Sequence, residues 1–373
     1  MNRVAGLVFH APLGDTSGER LVENGRWAAT LGLARRLRAA GMAEVYVVTP
    51  NAERCLGGVD AVTFLPSEAG QEFHFGNTLR GLITQLDLDG VLYFGSGSGG
   101  LLSEAELGRL IEFAGGEPPR GLFNNFYSCD FCSLSGAREV TRLELPGIDN
   151  PLGFALADAG IPCFSLARTA TTQFDIDTPT DLLLLARSQL GSPELREYCA
   201  SIEIGHPTLD RALVVLTDRS SVTSVVGRLS PVTWSHFETQ VACRTNALVE
   251  GRGMRAGATP HTPWLRLVLT GDGPKAFIDR LARSCDAAWI DTRPLLGTAE
   301  AQPSAGERFS SDLFHISGIA DPTWRAFTDA ALDARIPIVL GGHTLVSGGL
   351  YLAAEACWKG RNLPRRLHPE PFV

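Results

Sequence analysis

The hydrophobic pattern of the first half of the chain switches repeatedly between a short apolar run and a helical stripe. Val4 to Phe9 is a compact apolar run and predicts a strand. Trp27, Leu31, Ala34 and Leu37 then recur at helical spacing, and Gly41 stops that helix. Glu44 to Val48 predicts the next strand, closed by Thr49-Pro50. Asn77 or Thr78 caps a predicted helix that runs to about Leu86, and Gly90 to Phe94 predicts another strand. Ser103 and Glu106 form a capping box ahead of a helix with Leu107, Leu110, Ile111 and Ala114 on one face. Leu122 to Tyr127 reads as a strand, and Asn150-Pro151 starts a helix to about Ala159. Cys163 to Leu166 is a strand, and Thr178-Pro179-Thr180-Asp181 caps a helix over Leu182 to Ser188.

Such alternation predicts an α/β fold, a mostly parallel sheet between helices in a Rossmann-like first domain. The boundary region is Gln189 to Asp210, which gives domains over 1–200 and 208–373. A second α/β rhythm follows. Its candidate strands are 212–216, 266–269, 287–290 and 336–340, with helices starting near Ser230-Pro231, Gly273-Pro274 and Asp321-Pro322. Two stretches rich in small residues, Gly251 to Pro263 and Gly297 to Gly306, read as mobile loops.

Composition narrows the function classes. The net charge of -8 argues against general binding to nucleic acid or to anionic membranes. No run of 18 apolar residues is present, and the N-terminal apolar stretch is too short for a signal-peptide core, so a cytoplasmic location is expected. The only lysines are Lys275 and Lys359, which excludes any mechanism needing a lysine in the first domain. An Arg-rich, Lys-poor chain also fits the codon usage of a GC-rich genome. Cys129 and Cys132 form a Cys-x-x-Cys with no second pair at zinc-ribbon spacing, so buried free thiols in a reducing compartment are expected.

The most specific string is Phe174-Asp175-Ile176-Asp177-Thr178-Pro179-Thr180-Asp181-Leu182. It resembles the Asp-x-Asp-Thr-Pro-x-Asp-Leu segment that closes the catalytic domain of small NTP transferases, such as molybdopterin and phospholactate guanylyltransferases. Order and spacing extend the resemblance over about residues 1–190. The resemblance implies a nucleotidyltransferase domain in which Asp175, with Asp177 as neighbour, helps hold Mg²⁺ on the nucleotide phosphates. Asp177 and Thr178 also suit a plain helix cap. The implied partners are a small-molecule nucleotide and a phosphorylated acceptor.

Departures from the family are as informative as the matches. The first loop, His10 to Arg20, lacks the family's Gly-Gly pair and Lys; Gly14 remains, and Arg20 or Arg26 is left as the phosphate cation. Ser98 stands where the family has a metal-binding Asp. The run Gly95-Ser96-Gly97-Ser98-Gly99-Gly100, between a strand and a capped helix, reads either as an anion cradle or as a flexible turn. Asp130, Asn124 and Asn125 can replace missing polar ligands or simply satisfy strand ends.

No family resemblance is found in the second half. Gly341-Gly342-His343-Thr344-Leu345-Val346-Ser347, after a buried strand, suits an anion at a helix start or a close-packed turn. Asp218, Asp291, Arg293, Asp312 and His315 are candidates to gather with His343 and Ser347 at one sheet edge, for acid–base or metal chemistry. Three functions follow: a divergent nucleotidyltransferase releasing pyrophosphate, a degenerate nucleotide-binding or regulatory protein, or chemistry carried by the second domain.

Overall fold

A computed structural model describes residues 2–50, 63–66, 73–250, 261–296 and 302–360. Of the loops expected at 251–263 and 297–306, residues 251–260 and 297–301 lie outside the described residues, while Ala305 and Gly306 open a helix rather than continue the loop. The described chain forms two units. The first holds 1–12, 23–175 and 191–198; the second holds 13–22, 176–190 and 199–373. Among the described residues no helix is long and apolar enough to cross a membrane.

The first unit is an α/β layer structure. In chain order its elements are β1 (Val4–Phe9), most of α1 (Ser17–Ala39), β2 (Glu44–Thr49), β3 (Thr63–Pro66), α2 (Phe75–Gln85), β4 (Gly90–Gly95) and α3 (Glu104–Ala114). There follow β5 (Arg120–Phe123), β6 (Phe131–Ser135), α4 (Ala137–Val140), α5 (Leu152–Asp158), β7 (Cys163–Ser165) and α6 (Ala170–Gln173). The sheet order is β3-β2-β1-β4-β6-β5-β7. It is parallel except for β6, which runs against both β4 and β5. One core, with Leu7, Val91, Phe75 and Leu79, packs on one face; a second, with Val8, Leu92, Leu37 and Leu107, packs on the other.

α1 starts at Ser17, so the 22–26 stretch expected to introduce it is already helical. The cause is a capping box one step earlier: Glu19 N–H donates to Thr16 Oγ1 at 3.2 Å, and Thr16 N–H to Glu19 Oε2 at 3.1 Å. α2 is capped by the His74 side chain, which accepts from the backbone N–H of Asn77, rather than by Asn77 or Thr78. Cys129 and Cys132 are buried free thiols.

The second unit begins with the first turn of α1 and takes in α7 (Pro179–Ser188). A further helix, α8 (Pro193–Ala200), starts in the first unit. Next come α9 (Leu209–Val215), β8 (Val222–Gly227), α10 (Pro231–Gln240), β9 (Arg244–Val249), α11 (Trp264–Asp272), α12 (Pro274–Ser284), β10 (Ala287–Asp291) and α13 (Arg293–Leu296). The chain continues through α14 (Ala305–Asp312), α15 (Pro322–Leu332), β11 (Ile338–Gly341), a 3₁₀ turn over His343–Val346, and α16 (Gly348–Ala356). Its four strands are all parallel, in the order β11-β10-β8-β9.

Two expected strands here are helices. Leu209, Ala212, Leu213 and Leu216 are buried at helical spacing, so 212–216 continues α9. Leu265 and Leu269 do the same for α11, which contains 266–269. β8 and β9 were not legible as strands. Thr223 and Ser224 are buried in the middle of β8, which breaks its apolar run.

Candidate functional site

In the first unit the strand order reverses between β1 and β4, so the carboxyl ends of these strands border the crevice where open α/β sheets hold ligands. His10 follows β1. Its backbone N–H donates to Val48 O at 2.9 Å and its buried ring meets Trp27 edge-on at 4.9 Å. Arg26 precedes Trp27 on α1. Gly95 ends β4 in register with Phe9.

The turn after β4 is tied down. Ser98 N–H donates to Gly95 O, and the Ser98 hydroxyl donates to Gly95 O at 2.8 Å and to Asp130 O at 3.1 Å. Gly95 N–H also donates to Asp130 O at 2.9 Å. Ser98 is 2% exposed and pairs as an isolated antiparallel bridge with Asp175. Positions 98 and 175, distant in sequence, are thus adjacent, with a hydroxyl at one and a carboxyl at the other. Gly97 lies within the same buried turn.

Asn124 zips the neighbouring loop. Its Oδ1 accepts from the backbone N–H groups of Asp130 and Phe131, and its Nδ2 donates to Asp130 Oδ2 at 2.8 Å. Asn125 Oδ1 accepts from Tyr127 N–H and from Arg168 Nη2. The start of α3 is filled by its own chain. Ser103 and Glu106 complete the capping box, and Glu104 and Glu106 put two acids in the first turn. Those acids occupy the positive end of the helix, where an anion would otherwise sit.

Gly14 and Arg20 belong to the second unit. A Cβ at Gly14 would lie 2.6 Å from the Glu19 carboxylate, and Arg20 pairs with exposed Asp15 at 3.3 Å. Asp177 is also in that unit, where its Oδ2 accepts from Thr344 Oγ1 at 3.3 Å. The group that holds the start of α7 is Asp181. Its fully buried Oδ2 accepts from the N–H groups of Asp177 and Thr178 and from Thr178 Oγ1. Burial, with Asp177 nearby, pushes its carboxyl well above the usual range.

The second sheet has its own reversal, between β8 and β10. Gly227 ends β8 at φ +130, and a Cβ there would lie 2.4 Å from Asp291 Cβ at the end of β10. That gap lets Asp291 reach the next residue. Asp291 is fully buried and accepts from Arg228 Nε at 2.6 Å, Arg228 Nη2 at 3.0 Å, Arg228 N–H at 3.3 Å and Arg293 N–H at 3.1 Å. Burial alone would raise its pKa, but Arg228 outweighs it, with His343 adding to the effect, and the net shift is downward. Asp291 is therefore an anchored anion that orients Arg228. Sequence reasoning missed Arg228, whose only signal is its place after a β-strand that was itself not legible.

Asp312, at the end of α14, is 2% exposed, and its Oδ1 has no hydrogen-bond partner. Burial raises its pKa to about 7, with Arg293 and Arg308 opposing the shift and Asp291 adding to it. His343 Nε2 and Ser347 Oγ lie 3.1 Å apart. Asp218 does not join this edge. It sits before β8, accepting from Ser220 and Ser221, because the expected strand before it is α9. His315 is exposed.

Among the described residues no group of three or more His, Cys, Asp or Glu side chains is placed to hold a metal ion. No family model and no curated protein matches the chain. Solved structures do resemble part of it. A nucleotidyl transferase from Methanothermobacter is 17% identical, with a TM-score of 0.38, over 49% of this chain and 95% of its own. A cytidylyltransferase from Leptospira borgpetersenii is 12% identical, with a TM-score of 0.40, over 55% and 100%. A Mycobacterium tuberculosis protein solved in complex with manganese is 16% identical, with a TM-score of 0.33, over 54% and 100%.

Proposed function

We propose that the first unit binds a nucleoside triphosphate and transfers its nucleotidyl group to a small phosphorylated acceptor, releasing pyrophosphate. The bridge between Ser98 and Asp175 carries this reading, because it sets a carboxyl beside the turn after β4, at the reversal of the sheet. The Ser98 hydroxyl is committed to two carbonyls, and the resemblance of the Asp175 to Leu182 string makes Asp175 the carboxylate for Mg²⁺. Mg²⁺ is ordinarily held by one or two carboxylates together with substrate phosphates, so this donor set fits an ion that arrives with the nucleotide. When bound, the ion would offset charge on the phosphate oxygens.

The rest of the work falls to positioning. Asp175 is held by its bridge to Ser98, and the 95–98 turn is held by Asp130. Arg26 is the first-unit candidate for phosphate charge, since no lysine precedes Lys275. An oxygen of the acceptor's phosphate is already anionic. It attacks the α-phosphorus, the bond to the β-phosphate oxygen breaks, and pyrophosphate leaves with no proton to be removed.

A second reading, nucleotide binding without turnover, is favoured by the hydroxyl at position 98 and the two acids at the start of α3. Thermal unfolding with GTP, CTP, ATP and UTP, each with and without Mg²⁺ or Mn²⁺, tests both. One nucleotide with metal is expected to stabilise the protein, by about 2.7 kcal/mol at a hundred times its dissociation constant. Asp175→Asn should abolish that shift, and metal alone should give none. Stabilisation without pyrophosphate release from any tested acceptor supports the second reading. No shift with any nucleotide at millimolar concentration sinks both.

A further inference from the structure

The carboxyl edge of the second unit's sheet gathers charge that no role in nucleotide transfer uses. Arg228 follows β8, Asp291 ends β10, Arg293 opens α13, and Arg308 and Asp312 lie on α14. Three of these groups are guanidiniums and two are carboxyls. Asp291 is held as the anion by four hydrogen bonds, three of them from Arg228. Those bonds use Arg228 N–H, Nε and Nη2 and leave its Nη1 edge open. Asp312 Oδ1, nine-tenths and more buried, has no protein partner. A buried polar atom without a partner costs stability unless something else meets it. The reversal between β8 and β10 is also where an open parallel sheet leaves a crevice.

We propose that this edge is a binding site for a small molecule bearing a phosphate group, whose oxygens take the Nη1 edge of Arg228 and the guanidiniums of Arg293 and Arg308. Arginine's planar fork of donors suits phosphate oxygens. Arg228 is pre-set by its bidentate grip on Asp291, and Arg293 and Arg308 are steadied by Gln302 Oε1 and Pro303 O. Asp312 completes the site as a hydroxyl donor. A carboxyl that stays protonated up to about neutral pH can give a hydrogen bond to a phosphate oxygen, where an ionised one would repel it. The groups facing Asp312 are Arg293 from α13, Arg308 from its own helix, Asp291 from β10, and His206, which holds its backbone oxygen. The proposal stands on the second unit alone and does not depend on the nucleotidyl-transfer reading.

Calorimetric titration of the intact protein with inorganic phosphate tests the site. Saturable binding is expected. Arg293→Gln and Arg308→Gln should each weaken it at least about tenfold, since each removes a charge-assisted hydrogen bond. Arg283→Gln, on an exposed turn of α12, should leave it unchanged. No saturable binding, or binding that both site variants leave intact, overturns the assignment. Tighter binding of malonate than of phosphate also overturns it, in favour of a carboxylate ligand. Should the arginine variants fail to fold, sulfate decides, because its charge is constant from pH 6 to 8. A group titrating near 7 is about nine-tenths ionised at pH 8. Asp312→Asn should therefore bind sulfate at pH 8 several-fold, up to about tenfold, more tightly than the wild type. Equal or weaker binding by that variant would refute the role given to Asp312.

Discussion

Two buried side chains, His206 and Asp312, titrate in opposite senses. His206 Nε2 donates to the backbone carbonyl of Asp312 at 3.1 Å, while its Nδ1 accepts from the N–H of Leu209 at 3.0 Å. Burial lowers the His206 pKa to about 4 and raises that of Asp312 to about 7. The unfolded chain binds a proton at His206 more readily than the folded one. Stability is therefore lost as pH falls from about 6.5 through 4. Asp312 works the other way. The folded protein keeps its proton while the unfolded chain gives it up, so stability is lost as pH rises from about 3.8 through 7. Asp312→Asn is expected to stabilise the protein at pH 8, by at most about 4 kcal/mol, and by clearly less at pH 5. Urea unfolding at the two pH values reads this directly; an equal gain at both would show that the shift in Asp312 is not what costs stability. Gly227 offers a second test at this scale. A Cβ there meets both a left-handed backbone and Asp291, so Gly227→Ala should cost at least about 1–3 kcal/mol. The same loss should appear in urea unfolding, because Arg228 loses its seat on Asp291.

Single helices and strands show where sequence patterns suffice. The α3 start was legible because Ser103 and Glu106 satisfy each other locally, with no help from the rest of the fold. Ser103→Ala should accordingly cost about 1 kcal/mol in thermal unfolding, with nucleotide binding retained. The starts of α10, α12 and α15 were legible for a related reason, a proline in the first turn of each. β6 was not legible, since it runs antiparallel inside an otherwise parallel rhythm and its Ser133 and Ser135 are buried on carbonyls of other elements. α9 was misread as a strand because its valines outweighed a helical spacing that burial makes plain. At the candidate site, Asp175 was legible from a local string. Its neighbour Ser98 was found only through the resemblance, and Arg228 emerges from contacts with Asp291, 63 positions along the chain, whereas Asp181 works locally within the capping string the sequence showed.

Taken as a whole, the chain crosses between its two units five times, after residues 12, 22, 175, 190 and 198. The crossing after Asp175 has a physical anchor in the second unit. Thr180 Oγ1 donates to Leu340 O on β11 at 2.7 Å, and Gly342 lies against the Thr178 side chain. A fragment of residues 199–373 lacks this helix and is expected to show little cooperative unfolding by circular dichroism. A fragment of 176–373, which restores α7, should recover a large part of the transition. Equal behaviour of the two fragments would show that α7 is dispensable to the second unit.

The threading of α7 also bears on ancestry. Domains that travel between genes do so as cassettes with one seam at each end, and this chain has no such seam. A recombination event that carried off residues 1–175 would strip the second unit of its 13–22 segment, and a break after 190 would also take α7, whose Thr180 holds β11, to the wrong owner. The two halves are thus expected to be inherited together. Drift in the Asp175 to Leu182 segment is limited from both directions, by the carboxyl that ends it on one side and the strand it covers on the other.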